Sequence, residues 1–368
     1  LAGSVRASSP PQPSYARYAA AHRAWFLRER RGPELDFWRK RLEGLETIVL
    51  NEDYARPPQQ SFRGAKLRLD FNLRDIAALR ALGATHGATL AMVLLTALKI
   101  LLFRHTGKTD VAVGVPVANR HHAGAEPLLG TLVNTLVLHT ELGGQPDFAS
   151  TLQRVRATLL EALQHQDLPF EMLVQSLQLP RDASRSPLFS VMFNMLNTPL
   201  GEVQLPGLTW SRFEFDKKAS QFDLTITIDA DHARSISFEY STDLFSADTI
   251  QRLAEHYLGL LRAVIQRPAL RIDAAALIPE NELKLLREWA QGPRTARAEG
   301  IIPALLQPAW SRHAASLAIR FENEALTYAQ LSLAVTKVAQ ALRSRGIGRG
   351  ARVGLYVPRS PRMLIGLL

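Results

Sequence analysis

"TLAMVLLTALKILLFRH" (Thr89–His105) is apolar nearly all the way round a helical wheel. A helix lying on a surface keeps a polar face, so this pattern predicts a helix enclosed on every side. Enclosure needs covering elements, and the flanking sequence supplies them. Upstream, "LRDIAALRALGATHGA" is helical in pattern until Gly83 and Gly87 interrupt it, which predicts two helices with a break. Downstream, "TDVAVGVPVANR" (Thr109–Arg120) and "TLVNTLVLHTEL" (Thr131–Leu142) read as β-branched strands. "FASTLQRVRATLLEALQHQ" places Leu152, Val155, Leu159 and Leu163 at helical spacing, so one face packs inward.

The pattern extends both ways. "YARYAAAHRAWFLRERR" and "ELDFWRKRL" predict two helices near the start, and "AKLRLDF" alternates as a strand does. "SPLFSVMFNML" (Ser186–Leu196) is apolar on both faces, as a central strand is. "FDLTITID" and "RSISFEYSTDLF" flank the turn residues "ADHA" and predict a hairpin. Ser246 stands as N-cap before the amphipathic "ADTIQRLAEHYLGLLRAVI". Strands mixed with helices predict an α/β sandwich around one large sheet.

The pattern resets after "ENELKLLREWAQ". Residues 287–300, rich in Gly, Arg and Thr, read as an interdomain linker, and the Ser/Pro-rich residues 1–14 as a linker remnant. The main body is therefore expected over 15–286 and a second, incomplete α/β unit over 301–368. In the latter, Thr327 and Gln330 form a T-x-x-Q capping box, the helix it opens ends at Arg345–Gly346, and "ARVGLYVP" reads as the next strand. "GIGRG" (Gly346–Gly350) leads from a helix into that strand, so it faces no helix N-terminus toward a phosphate and is rejected as a nucleotide loop.

Bulk properties exclude several classes. Hydrophobic content of 46% is ordinary for a globular chain, and no apolar run of about 18 residues exists to span a membrane. The N-terminus lacks a basic start and an apolar segment, so it is no secretory signal, and Leu1 suggests a piece of something longer. Without cysteine there are no disulfides or thiolate zinc sites, which fits the cytoplasm. The net charge of +10 raises nucleic-acid binding, but the arginines are scattered. Their densest run, "FLRERRGPELDFWRKRL" (Phe26–Leu42), also carries Glu29, Glu34 and Asp36 and reads as solvated helix faces. No nucleic acid is expected.

"HQDLPFE" (His165–Glu171) crowds acid–base side chains around a proline. The competing reading is a corner between helices. There Asp167 caps the second helix, Pro169 enters its first turn, Glu171 sits near its positive end, and Phe170 and Leu173 anchor it. The corner reading is preferred.

"YARYAAAHRAWF", "LLGTLVNTLVLHTEL", "HQDLPFE", "RDASRSPLFSVMFN" and "QFDLTITID", in that order, resemble the later core motifs of nonribosomal peptide synthetase condensation domains. The resemblance covers roughly Tyr15 to Leu286, and "ALTYAQL" resembles the first core motif of the adenylation domain that follows such a domain. It implies a chloramphenicol-acetyltransferase-like fold in two lobes. It further implies that thioesters on the phosphopantetheine arms of peptidyl carrier proteins meet in a tunnel, where an amine attacks a thioester to form an amide. The family's HHxxxDG histidine motif is absent: "HHAGAEP" (His121–Pro127) lacks the Asp-Gly and reads as loop. The resemblance places that motif upstream of Leu1, in the missing N-terminal lobe. The chain is thus expected to lack a catalytic residue, to hold no metal and bind no cofactor itself, and to be inactive alone. ATP and Mg belong to the remainder of the adenylation domain.

The resemblance also assigns roles. Arg120 matches an arginine that pairs with the Asp of the histidine motif; without that partner it is expected to turn to solvent or find another carboxylate. Asn134 is expected to bond to backbone at the tunnel floor, and Thr131–Leu132 replace the family's bulkier residues there. Asn194 is either a substrate-positioning group or a satisfied core amide. His165, Gln166 and Asp167 shape the corner, while Arg181, Asp182 and Arg185 form an Arg–Asp network holding a loop. Two alternatives stand: a noncatalytic docking fragment for carriers or partner lobes, and the C-lobe of a heterocyclization domain.

Overall fold

The computed structural model describes residues 14–180, 182–196, 215–231, 234–275, 277–292 and 300–368. The chain divides after Leu286 into two compact units.

The first unit opens with α1 (Tyr15–Trp25) and α2 (Arg31–Arg41), joined without a break by a π turn over Phe26–Arg30. The sequence pattern predicts two separate helices here. Pro33 has no N–H to give to the preceding turn, and the wider π turn, in which the Arg31 N–H bonds to the Phe26 carbonyl, carries the chain past it. The solvated-face reading of this stretch holds for Arg28, Glu29, Arg31, Asp36, Arg39 and Lys40, which are exposed, and fails for Glu34, which is buried with Phe26 and Trp38. A helical wheel shows periodicity, not which side the rest of the chain covers.

β1 (Gly64–Asp70) leads to α3 (Leu73–Thr85) and α4 (Leu90–Thr106), which meet at a bend of 98°. Thr89 caps α4 through the Met92 N–H, and Gly107, at φ 70°, ends it in the left-handed conformation that glycine adopts without a Cβ clash. β2 (Asp110–Val117), β3 (Asn134–Glu141), α5 (Phe148–Gln164), α6 (Phe170–Leu177), β4 (Val191–Met195), β5 (Leu224–Asp229), β6 (Ser235–Ser241), α7 (Ala247–Gln266) and α8 (Glu280–Gln291) follow. Helix α8 runs on to Gln291, through the point where a linker is expected to begin.

The sheet has the order β1-β6-β5-β4-β2-β3. β4 pairs in parallel with both β5 and β2, and the remaining pairs are antiparallel. "SPLFSVMFNML" is therefore central, as its two apolar faces require. Gly114 on β2 lets the Phe189 ring approach so closely that a Cβ would stand 2.3 Å from it. Helix α4 packs on β2, α5 on β3, and α7 on β1 and β6, with α3 against α4 and α7. α4 buries Leu90 and Met92 through Leu102 without interruption. Among the described residues, no single helix is long and apolar enough to cross a membrane.

The uninterrupted burial includes Lys99. Its ammonium donates to the carbonyls of Val111 (2.9 Å) and Leu138 (2.5 Å) and to the Thr140 hydroxyl (3.0 Å). Burial, and then the charge of Arg41, hold its pKa well below the ordinary lysine range. At the far end of α4, His105 Nε2 lies 3.2 Å from His256 Nδ1 on α7, and His256 Nε2 lies 2.7 Å from Glu282 on α8. Burial and the neighbouring His256 push His105 down to about 4, against the pull of Glu282.

In the second unit, α9 (Ile302–Arg312) precedes the hairpin of β7 (Leu317–Phe321) and β8 (Glu324–Thr327), then α10 (Tyr328–Ser344) and α11 (Pro361–Leu367). The expected capping box is present: Thr327 accepts from the Gln330 N–H and the Gln330 side chain accepts from the Thr327 N–H. "ARVGLYVP" forms no strand. Its residues pair with no described strand, and Tyr356 is fully exposed.

Two outcomes test this packing. Lys99→Met keeps the side-chain volume but takes the donor from the buried Val111 and Leu138 carbonyls, so it should lower unfolding free energy by about 1–2 kcal/mol. Lys99→Ala leaves a cavity and should cost about 3 kcal/mol, both read from urea midpoints. For His105 the folded chain refuses a proton that the unfolded chain accepts below its ordinary pKa. Stability therefore falls as pH drops from about 6.5 toward 4, and a His105→Gln variant should show a shallower loss across that window in thermal melts.

Candidate functional site

Three of the motif segments, those around Tyr15–His22, Thr131–Thr135 and Asp167–Glu171, meet at one corner of the first unit. Tyr15, Tyr18 and His22 from α1, Thr131 from the loop before β3, Asn134 at the start of β3, and Asp167 from the α5–α6 turn line a cavity of about 250 Å³. Each is placed by local chemistry. Ser14 caps α1 and fixes where its first turn starts. The Tyr15 hydroxyl donates to the Thr131 carbonyl at 2.7 Å, and its ring lies over Gly130, where a Cβ would stand 2.4 Å away. This contact explains the glycine in "LLGTLVNT".

Asn134 is buried and uses its whole amide. Its nitrogen donates to the carbonyls of Gln166 and Leu168, both at 2.8 Å, and its oxygen accepts from the N–H groups of Thr135 (2.9 Å) and Phe170 (3.1 Å). The amide thus ties β3 to the whole of "HQDLPFE". Gln166 closes its own turn by donating to the Leu163 carbonyl. His165 stacks on Phe37 at 3.7 Å and places Nδ1 3.3 Å from the buried carboxylate of Glu34, while its carbonyl accepts from Trp38. Glu34, which also pairs with Arg30, is pushed up by burial against the charges of His165 and Arg30.

Asp167 is not a helix cap, contrary to expectation. Pro169 occupies the N-cap position of α6, which has no side-chain cap, and only Glu171 of the acidic pair sits in its first turn. The Asp167 carboxylate turns instead toward three imidazoles: Oδ1 lies 2.7 Å from His122 Nε2, 3.2 Å from His121 Nε2 and 3.9 Å from His22 Nε2. Burial works to raise this carboxyl, but His22 and His122 more than offset it and hold it down to about 2. The rings of His22, Trp25, His121 and His122 pack on one another. "HHAGAEP" is a loop, as read, yet its histidines are not idle in it. The sequence points to no metal-ligand set, but His22, His122 and Asp167 bring three possible ligand atoms within 4.8 Å of one another. The three lie far apart along the chain, so no local spacing announces them.

Arg120 is half-buried, and among the described residues it pairs with no carboxylate. Its guanidinium donates to the carbonyls of Ala125, Glu126, Leu128 and Gly130 and so folds the loop between β2 and β3 around itself. Clustered carbonyls satisfy a guanidinium fork as a carboxylate does. Asn194 is half-buried on β4 opposite Thr227, outside the residues that line the cavity. Asp182 accepts from Ser184 and lies 2.8 Å from Arg185 Nε, whereas Arg181 lies outside the described residues. Two residues escape a reading of the sequence. Arg56 forks onto Asp223 and also binds Glu52 and the Ser184 carbonyl, holding the loop assigned to Arg181 and Arg185. Asn119, in the cavity wall, has a positive φ of 51° and a buried Oδ1 without a hydrogen-bond partner.

A mixed sheet of this order, with these motif segments gathered at one corner, defines a class. Residues 3–287 match the model of the condensation domain and residues 306–368 that of the AMP-binding enzyme, so the chain belongs to the condensation-domain family and continues into the start of an adenylation domain. One subunit of the linear gramicidin synthase of Brevibacillus parabrevis is 40% identical over 365 residues, which make up 96% of this chain and 7% of that protein. Bacitracin synthase 3 of Bacillus licheniformis is 33% identical over 358 residues, 96% of this chain and 6% of that one. The chain therefore spans a small part of the curated relatives it matches. Among solved structures, a four-domain nonribosomal peptide synthetase bound to AMP and glycine superposes with a TM-score of 0.71 at 22% identity, over 89% of this chain and 26% of that one. A complex of the X-domain and OxyB from teicoplanin biosynthesis superposes at 0.65 with 27% identity, over 72% and 61%.

Asn134→Ala strands two carbonyls and two N–H groups, one buried and three part-buried, and should lower unfolding free energy by about 2–4 kcal/mol. Asn134→Asp should cost at least as much, because a carboxylate cannot donate to the Gln166 and Leu168 carbonyls. Chemical denaturation of both variants checks the ordering.

Proposed function

We propose that this chain contributes the C-terminal lobe of a condensation domain to a nonribosomal peptide synthetase, and that its cavity is this lobe's share of the tunnel in which two carrier-bound thioesters meet. The observation that carries the reading is the convergence of Tyr15–His22, Thr131–Thr135 and Asp167–Glu171, remote in sequence, on one cavity. In the reaction, the amine nitrogen of the acceptor bonds to the donor's thioester carbon. The C–S bond breaks, and the proton lost by the amine ends on the departing phosphopantetheine thiol. Such a transfer needs a group that accepts or positions the amine proton. The HHxxxDG motif that supplies it in the family does not occur in these 368 residues. On this reading it comes from the N-terminal lobe, and the present chain positions substrates without turning them over.

The partners are then peptidyl carrier proteins and that N-terminal lobe, in the cytoplasm. ATP and Mg serve the adenylation domain that residues 306–368 begin, and phosphopantetheine arrives on the carriers. Asn134 acts here as a positioning residue through the 166–170 turn. Arg120 has its guanidinium engaged by carbonyls, which shapes the loop facing Tyr15. A second reading, a docking module without chemistry, draws support from the X-domain relative, whose solved complex with OxyB is one of a domain with another protein.

Two loaded carrier proteins, one aminoacyl donor and one aminoacyl acceptor, separate these readings. The 368-residue chain alone should give no dipeptidyl thioester by mass spectrometry, while a chain extended upstream through an HHxxxDG motif should. Product from the chain alone would sink the proposed division of labour. Carrier binding without product from the extended chain would favour the docking module.

A further inference from the structure

The imidazoles around Asp167 are more than a single carboxylate oxygen can serve. Oδ1 takes His122 at 2.7 Å and His121 at 3.2 Å. His22 Nε2, 3.9 Å from the same oxygen, is near enough to feel its charge but beyond hydrogen-bond length, and it is buried with no hydrogen-bond partner among the described residues. A buried ring nitrogen without a partner is costly, and three segments remote in sequence have been brought together to create this one. A cation among the ligand atoms removes the misfit. Metal–nitrogen and metal–oxygen bonds of about 2.0–2.1 Å in a tetrahedron give ligand–ligand edges of about 3.3 Å. The separations from Asp167 to His122 and to His22 fall on either side of that value. Each imidazole reaches it by moving roughly half an ångström, one outward and one inward.

We propose that His22 Nε2, His122 Nε2 and Asp167 Oδ1 form a binding site for a divalent cation of the Zn²⁺ type. Two imidazoles and one carboxylate suit a borderline transition-metal ion, whereas Mg²⁺ and Ca²⁺ prefer shells of oxygen. Asp167 is buried, so the carboxylate is already desolvated for the ion. His22 and Asp167 also line the cavity, which leaves a fourth position for water or an incoming ligand. His121, 3.2 Å from the same carboxylate oxygen, is a nearby reserve donor. Arg30 Nε, 4.0 Å from Asp167 Oδ2, is the opposing charge, and its guanidinium is partly occupied by Glu34. A bound ion would cross-link α1, the loop after β2 and the α5–α6 turn, the segments that surround the cavity. The site is independent of the proposed amide chemistry, since its ligands would hold an ion whether or not the chain meets a carrier.

The test uses the tag-free 368-residue chain, stripped with a chelator and titrated with metal at about pH 7.5. Zn²⁺ should bind at one equivalent with micromolar or tighter affinity by calorimetry. Co²⁺ should develop the visible absorption of a four-coordinate ion. His22→Ala, His122→Ala and Asp167→Asn should each weaken binding about 10-fold or more, and Zn²⁺ should raise the Tm of the parent chain but not of His22→Ala. His256→Ala, on the other histidine cluster, should bind as the parent does. Absence of saturable Zn²⁺ binding by the folded parent would overturn the site, as would parent-like affinity in the His22 and His122 variants. If Asp167→Asn does not fold by circular dichroism, His22→Gln and His122→Gln decide.

Discussion

Helix α4 offers water no face it can accept, so the elements around it are placed by the need to cover it. One side lies against β2, and α3, α5 and α7 close the others. Apolar packing is continuous along its length because Val93, Leu94, Ala97, Leu98, Ile100 and Leu101 all find neighbours in the same core. The exception, Lys99, is tolerated because three acceptors wait at its tip. Its contacts reach both β2 and β3 and so tie the helix to the strands that end at the cavity.

The same packing fixes the strands that reach the corner holding these segments. The start of β3 is set by its ladder with β2, and Asn134 transfers this placement to the α5–α6 turn through its bonds to backbone. Tyr15 pins α1 to the same place from the other side. Buried polar groups there divide into two kinds. Asn134 and Arg120 are satisfied, and they hold loops. His22 Nε2 and Asn119 Oδ1 are left without partners, and both residues line the cavity.

A polar cluster in sequence and a polar cluster in space are different objects here. "HQDLPFE" holds its histidine and two carboxylates close together along the chain, but the fold sends them apart: His165 to Glu34 and Phe37, Asp167 to His122, and Glu171 to the first turn of α6. The partners that give Asp167 its character come from α1 and from a loop whose histidines look unremarkable in the sequence. Arg56 behaves in the same way, joining a Pro-containing loop to Asp223 and to the segment after Asp182.

Periodicity and end signals make most of the architecture legible before any coordinates. The enclosed helix, the central strand with two apolar faces, the Ser246 cap and the Thr327–Gln330 capping box are properties of short stretches, and each forms where its residues indicate. The family is legible for the same reason, since its motifs are local words in a fixed order. Burial of Glu34 and the failure of "ARVGLYVP" to pair depend on neighbours far along the chain. So does the meeting of His22, His122 and Asp167. A sequence states what each residue can donate, accept or bury, and only the fold decides which distant group stands within reach to answer it.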